Sequence, residues 1–212
     1  MITSKEQLIN ELVSEGFLKT PEIIEAFRKV RREEFIPPGQ KRYAYANYPL
    51  PIMEGQTISQ PLTIAAMTEA LQPKQSQKIL EVGAGSGYQA AILAEIVGKD
   101  GKIITTEIIP SLAKFASDNL KKQGYDNVVV VEHDGSQGYE KEAPYDRIIV
   151  TASAPSIPEP LIKQLKNNGR MVMPVGDEML LIEKNENVRK TVLGYYVFVP
   201  LTGKYGYRGR YD

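Results

Sequence analysis

The sequence predicts an α/β fold in which a mostly parallel seven-stranded sheet is flanked by helices, with an N-terminal helical segment and a C-terminal hairpin. Three observations carry that expectation. From residue 78 onward, short apolar runs alternate with helical stretches, as right-handed βαβ units require. The first run leads through a glycine-rich turn straight into a helix, and the last two runs have no convincing helix between them. With 212 residues, 42% of them hydrophobic, the chain suits one such core on a soft prior of roughly 150 residues per domain. It is read as a single domain, 1–212, with helices and a cover loop in 1–60, the core in 61–200 and a tail in 201–212.

The elements follow in order. Ser4 begins a helix with Gln7 as capping-box partner, and Leu8, Ile9, Leu12 and Val13 share a face before Gly16 ends it. Thr20 caps a second helix with Pro21 at its first position. Its buried stripe is Ile23, Ile24, Phe27 and Val30, and Arg31 and Arg32 suit its negative end. Glu33 to Ser59 holds four prolines together with Tyr43, Tyr45 and Tyr48, which predicts a packed cover without regular structure. A helix runs from Pro61 until Pro73 stops it. Strands are then predicted at Lys78 to Val82, Lys102 to Glu107, Asn127 to Glu132, Asp146 to Thr151 and Arg170 to Pro174. Helices lie between them at Tyr88 to Val97, Ser111 to Gln123 and Pro158 to Asn167, the last two closed by Gly124 and Gly169. Met179 to Glu183 and Thr191 to Pro200 supply the hairpin at the sheet edge.

Composition removes whole classes of chemistry. Cysteine is absent and His133 is the single histidine, so cysteine nucleophiles, zinc clusters, thiolate-bound haem and redox pairs are excluded. Lys plus Arg is 26 and Asp plus Glu is 26, so no global field favours nucleic acid or an anionic membrane. No run approaches ~18 uninterrupted apolar residues, and MITSKEQLINE lacks the basic flank and apolar centre of a secretion signal. A soluble, cytoplasmic protein is expected.

The chemistry gathers at strand ends. KILEV runs into Gly83-Ala84-Gly85-Ser86-Gly87, and the helix YQAAILAEIV follows at once. Glycines let the backbone turn tightly and let a ligand reach its amides, while the helix N-terminus adds partial positive charge. A tight strand-to-helix turn explains the glycines alone, but the strand-turn-helix context favours a Rossmann-like nucleotide site at the carboxyl ends of the strands. Glu107 ends the second strand, 20 residues past Gly87, where a carboxylate accepts both ribose hydroxyls. Asp134 follows the third strand in HDGS, with Gly135 after it, and suits an adenine amino group or simply an Asp-Gly turn. Glycines stand at 83, 85 and 87, with Tyr88 where the NAD fingerprint needs its third glycine, which favours S-adenosylmethionine over a dinucleotide. No Gly-Lys pair has the upstream glycine of a phosphate P-loop, and the neighbours of Ser86 do not form a serine-hydrolase elbow.

With these residues in view, the chain resembles the protein-L-isoaspartate O-methyltransferases. The likeness lies in GQTISQP (Gly55 to Pro61), LEVGAGSGYQAA (Leu80 to Ala91), the block APYDRIIVTASAPSIPEPLIKQLKNNGRMVMPVG (Ala143 to Gly176) and FVPLTGKYG (Phe198 to Gly206). It departs at His133, which replaces the first glycine of the Gly-Asp-Gly usual in the family. The resemblance implies an S-adenosylmethionine-dependent methyltransferase fold with S-adenosyl-L-methionine as methyl donor. The acceptor it implies is the free carboxylate of L-isoaspartyl residues in damaged proteins and peptides. The ester collapses to a succinimide, whose hydrolysis restores some normal linkage. The oligomeric state stays open. The family motif places its functional serine at Ser59, with Thr57 as a second catalytic candidate. Ile58 joins Gly83, Ala84, Gly85, Ser86, Gly87, Glu107, Asp134 and Gly135 at the cofactor, and no metal is implied. Read from residue type alone, Ser59 is first of all a cap for the helix at Pro61.

The acceptor chemistry fits the composition. A carboxylate of ordinary pKa ~4 is ionised at neutral pH and needs no general base, so alignment and charge placement suffice. A neutral hydroxyl can desolvate the carboxylate without pairing it so tightly that it stops attacking. The cover from Tyr43 to Ile58 is expected to exclude water. Damaged sites occur in varied sequences, so backbone contacts to an extended peptide are expected, with Ala152 to Pro155 and the region after Pro200 as walls. The tail KYGYRGRYD mixes Tyr and Arg as RNA-contacting segments do, but it is short and the chain neutral. The rivals are a methyltransferase acting on RNA or a small molecule, an NAD-dependent oxidoreductase and a non-catalytic binding module.

Overall fold

The computed structural model describes residues 4–208. Helix α1 (Lys5–Ser14) starts at Ser4, whose hydroxyl accepts from the Gln7 amide, and buries Leu8, Ile9 and Leu12. Helix α2 (Pro21–Lys29) starts after Thr20, but the Thr20 side chain makes no cap bond. Glu69, from α3 (Pro61–Leu71), instead holds the residues that lead into α2. Its carboxylate accepts from the Lys19 and Thr20 amides at 2.7 and 2.8 Å and from the Thr20 hydroxyl. Between α2 and α3 the cover is packed, with Phe35, Ala44, Leu50 and Ile58 buried. It holds short 3-10 turns and a two-residue ladder, β1 (Leu50–Pro51) against β2 (Thr57–Ile58), where no regular structure was expected.

The main sheet has the order β5-β4-β3-β6-β7-β8-β9. Strands β3 (Lys78–Val82), β4 (Lys102–Glu107), β5 (Val128–Glu132), β6 (Tyr145–Val150) and β7 (Leu165–Val175) run parallel, and β8 (Glu178–Lys184) and β9 (Val188–Tyr195) close it as an antiparallel hairpin. Helices α4 (Tyr88–Val97), α5 (Pro110–Lys122) and α6 (Glu159–Gln164) make the crossovers. Successive strand residues point to opposite faces, and both faces are covered. Ile79, Ile103, Ile149 and Val172 join one apolar cluster with residues of α1 to α4, whereas Leu80, Ile104, Ile148 and Met171 join Tyr145, Leu161 and Leu165 in another. Because β3 pairs with both β4 and β6, the chain reverses its winding there and leaves a crevice at the carboxyl ends of those strands.

Three expectations shift. Helix α6 stops at Gln164, not Asn167, because Leu165 pairs with Tyr145 and Gly169 with Lys184, which draws residues 165–169 into the sheet. The left-handed residue there is Asn168, at φ 63°, and not Gly169. Strand β9 begins at Val188 and ends at Tyr195, since the turn 185–187 sets its register on β8, and residues 196–199 continue outside the sheet. Arg32 is not a helix-end surface charge: α2 ends at Lys29, the chain turns extended at Val30, and the Arg32 side chain is fully buried.

Glu69→Ala removes a charged acceptor from four donors, Gln72 Nε2 included, at a partly exposed place where water replaces most of what is lost. Urea unfolding should show a loss of about 2 kcal/mol, and an unchanged midpoint would mean that water replaces the carboxylate without cost.

Candidate active site

The crevice is a cavity enclosing about 1140 Å³ of empty space, its open mouth included. Its floor is the turn after β3. Gly83, Gly85 and Gly87 all take positive φ, 95°, 53° and 87°. A Cβ on Gly83 would lie 2.4 Å from Thr151 Oγ1, so any other residue there displaces the Thr151 side chain besides straining the backbone at φ 95°. The turn is tied to both neighbouring strands. The Gly83 and Ala84 amides donate to the Thr106 carbonyl at 2.9 and 3.0 Å, and the Thr151 hydroxyl donates to the Gly83 carbonyl at 2.8 Å. Asn119 of α5 donates to the Ser86 carbonyl at 3.0 Å. Across the crevice, Gly135 closes against Thr106, where an added Cβ would lie 2.3 Å from Oγ1.

Two carboxyls sit beneath the turn. Glu107 accepts from the Gly85 amide at 2.9 Å and the Ile109 amide at 3.1 Å. Burial raises its pKa, and the amide donors oppose that rise. Glu81 lies in mid-strand, fully buried, and neither of its oxygens has a hydrogen-bond partner. Burial pushes its pKa up to about 8, and the Glu107 charge adds to the shift. Both carboxyls line the cavity. Sequence reasoning missed Glu81, although one acidic residue inside the otherwise apolar run KILEV was the available signal.

The cover lies over the turn. Ile52 Cδ1 is 3.9 Å from where a Gly85 Cβ would be, and the Ser111 hydroxyl of α5 donates to Glu54 Oε1 at 2.8 Å. Thr57, Ile58 and Ser59 line the cavity from this side. Ser59 is not the cap of α3; Gln60 holds that position, without a side-chain cap bond. Among the described residues, no protein group bonds the Ser59 hydroxyl, while its carbonyl accepts from Arg32 Nη2 at 2.9 Å. The remaining wall is Thr151, Ala152 and Phe198 to Thr202, held by backbone bonds from the Ser153 amide to Val199 and from the Leu201 amide to Ser153.

Thus Thr57, Ile58, Ser59, Gly83, Ala84, Gly85, Ser86, Glu107 and Gly135 converge on one cavity, and Gly87 and Asp134 do not line it. Gly87 is the residue before α4, packed against Leu120. Asp134 opens the short turn after β5. Its carboxylate accepts from the Ser136 amide and hydroxyl, from Gln137 Nε2 and, at 2.9 Å, from the Lys204 amide. It therefore ties the C-terminal segment to the loop after β5, a non-local use that an Asp-Gly pair does not announce. His133 stacks edge-on with Tyr139 at 5.5 Å and its amide donates to the Glu107 carbonyl. Of the tail, residues 209–212 lie outside the described residues; Tyr205 donates its amide to Ser136 Oγ at 3.0 Å.

The donor set fits an adenosyl ligand bearing an ammonium: a glycine turn without side chains, Glu107 at a strand end, and an orphaned buried carboxyl at Glu81. Comparison with known proteins points the same way. The profile of the Protein-L-isoaspartate(D-aspartate) O-methyltransferase family matches residues 3–206. A protein-L-isoaspartate O-methyltransferase of Methanopyrus kandleri is 51% identical over 212 residues, covering 97% of this chain and 94% of its own. Protein-L-isoaspartate O-methyltransferase 2 of Archaeoglobus fulgidus is 52% identical over 214 residues, covering 98% of each. Among solved structures, one described as a protein-L-isoaspartate O-methyltransferase superposes with TM-score 0.87 at 28% identity, over 96% of this chain and 67% of that one. Another, so described from Plasmodium falciparum and holding S-adenosyl-L-homocysteine, gives 0.84 at 26% identity over 95% and 99%. The chain belongs to this family.

Glu81 makes stability depend on pH. Unfolded, it titrates at the ordinary carboxyl value; native, at about 8. Between those values the native state binds more protons, so its stability falls as pH rises through the window. Glu81→Gln removes that dependence. Its Tm relative to the parent should climb from about pH 5 to about pH 8, whereas a constant difference would show that the carboxyl is already ionised.

Proposed function

We propose, from its family and from this site, that the chain is a protein repair enzyme that methylates the free carboxylate of L-isoaspartyl residues in damaged proteins and peptides. The observation that carries the reading is that Ser59, with an uncommitted hydroxyl, and the glycine turn face one cavity. S-Adenosyl-L-methionine, bound on that turn, supplies an electrophilic sulfonium methyl group. Glu107 receives the ribose hydroxyls and Glu81 the ammonium of the methionyl end, for which a buried carboxyl without a partner is the natural counter-charge.

The chain's own residues do the rest. The Ser59 hydroxyl donates to the acceptor carboxylate and holds one oxygen toward the donor, and Thr57 stands beside it on the cover as a second hydroxyl. No side chain removes a proton, because the acceptor arrives ionised. Ile52 and Ile58, on the cover, exclude water, which strengthens the field of each fixed dipole. The acceptor's backbone lies along residues 196–199, where Val197 is fully open and the amides of Val197, Phe198 and Val199 make no bond among the described residues. Main-chain recognition of this kind accepts many sequences.

The same features bear on partners and location. A formal net charge of zero and a peptide-shaped wall favour a protein acceptor over nucleic acid. No helix among the described residues is long and apolar enough to cross a membrane. A cytoplasmic place suits the cysteine-free chain and a repair substrate drawn from the protein pool.

Tested with a short peptide carrying one L-isoaspartyl residue, the enzyme should form a base-labile methyl ester that the matching aspartyl peptide does not form. Ser59→Ala should lower kcat about 100-fold, as loss of one oriented donor does, and leave the calorimetric affinity for S-adenosylhomocysteine unchanged. Equal losses in both would reduce Ser59 to a loop-shaping residue, and tight NAD binding without S-adenosylhomocysteine binding would refute the function.

A further inference from the structure

We propose that Arg32 is a positioning residue whose buried guanidinium braces the acceptor-facing and cofactor-facing walls of the cavity against each other. The inference rests on the function proposed above. Arg32 stands two residues beyond the cap of α2, and its side chain is wholly inaccessible. Nη2 donates to the Ser59 carbonyl at 2.9 Å, and Cζ lies 5.0 Å from the centroid of the Tyr88 ring. Ser59 lines the cavity from the cover, and Tyr88 lines it from the first turn of α4, directly after the glycine loop. One planar group therefore touches both sides.

Its electrostatics separate this role from plain packing. No carboxylate pairs with Arg32 among the described residues, and Nε and Nη1 are buried without partners. The adjacent Glu33 is engaged by Arg31 and by the Tyr45 hydroxyl. Burial lowers the Arg32 pKa to about 10, so the group remains a cation at neutral pH. An unpaired buried charge is a poor stabiliser, and an apolar side chain of similar length fills such a place at least as well. What an apolar chain lacks is the rigid fork that holds a carbonyl and the affinity for an aromatic face.

The Ser59 peptide joins β2 to the start of α3, so its tilt sets where the hydroxyl points. Arg32 does not itself line the cavity. It stands behind Ser59, where it fixes that tilt and adds positive potential at the acceptor's place without forming an ion pair that would quench the attacking oxygen. Tyr88, held on the same guanidinium, keeps the cofactor helix in register with the cover.

The test uses the full chain with Arg32→Met and Arg32→Lys, measuring Tm, calorimetric S-adenosylhomocysteine affinity, and kcat and KM on an isoaspartyl peptide. Arg32→Met should melt no lower than the parent and bind S-adenosylhomocysteine within about threefold, while kcat falls about 10- to 100-fold with a smaller change in KM, the pattern of misalignment. Arg32→Lys, which keeps a donor and a charge, should recover part of kcat. The proposal is overturned if Arg32→Met keeps kcat within about threefold, or if Tm and S-adenosylhomocysteine affinity fall in step with kcat, which is the mark of a structural role alone. A parent enzyme inactive on the peptide refutes the function and is distinct from either result.

Discussion

The Thr106 carbonyl accepts from two consecutive amides, Gly83 and Ala84, while Thr151 donates from the opposite side to the Gly83 carbonyl. This clamp holds the turn after β3 between β4 and β6 at the point where the winding of the sheet reverses. A side chain at Gly83 would collide with Thr151, so the clamp requires glycine, and glycine in turn leaves the floor of the cavity open to a ligand. The crevice, the carboxyls under it and the cover above it are all placed by reference to that turn. The parallel pairing of β3 with both neighbours is therefore functional as well as structural.

Each buried titratable group has its own role. Glu107 is satisfied by backbone amides and shapes the loop even before a ligand arrives. Glu81 is left unsatisfied in the same low-dielectric floor, a costly state that a positively charged ligand relieves. Behind Ser59, Arg32 is a cation without an anion among the described residues. A carboxyl and a cation, each without an ionic partner, suit a reaction that moves a methyl group from a cationic sulfur to an anionic oxygen and leaves both neutral. The surface ion pairs, by contrast, are exposed and contribute little.

Local rules carried far where the interaction is local. The capping of α1 by Ser4, the strand cores and the helix after the glycines appear where periodicity and caps put them. They failed where a distant partner intervenes. Thr20 is a good cap by type, yet its hydroxyl donates to Glu69 in α3. Gly169 looks like a helix stop, yet pairing with β6 and β8 draws the preceding residues into a strand. Asp134 makes the turn that its Asp-Gly pair suits, accepting from Ser136 and Gln137, and adds a bond from the distant Lys204 amide that its sequence neighbours do not announce. At Thr20 and Gly169 a long-range bond outweighs a local preference worth about 1 kcal/mol.

The order of residues along the chain was enough to determine the α/β class, the strand-turn-helix that makes a ligand loop, the acidic end of β4 and the hydroxyl-bearing cover, because periodicity, glycine and strand ends act within a few residues of themselves. Tertiary structure alone decided that Ser59 faces the cavity and does not cap α3, that Glu81 is a buried acid with a raised pKa, and that Arg32 lies inside. Burial and the identity of a polar group's partner are properties of what packs against it. Those neighbours come from elements dozens of residues away.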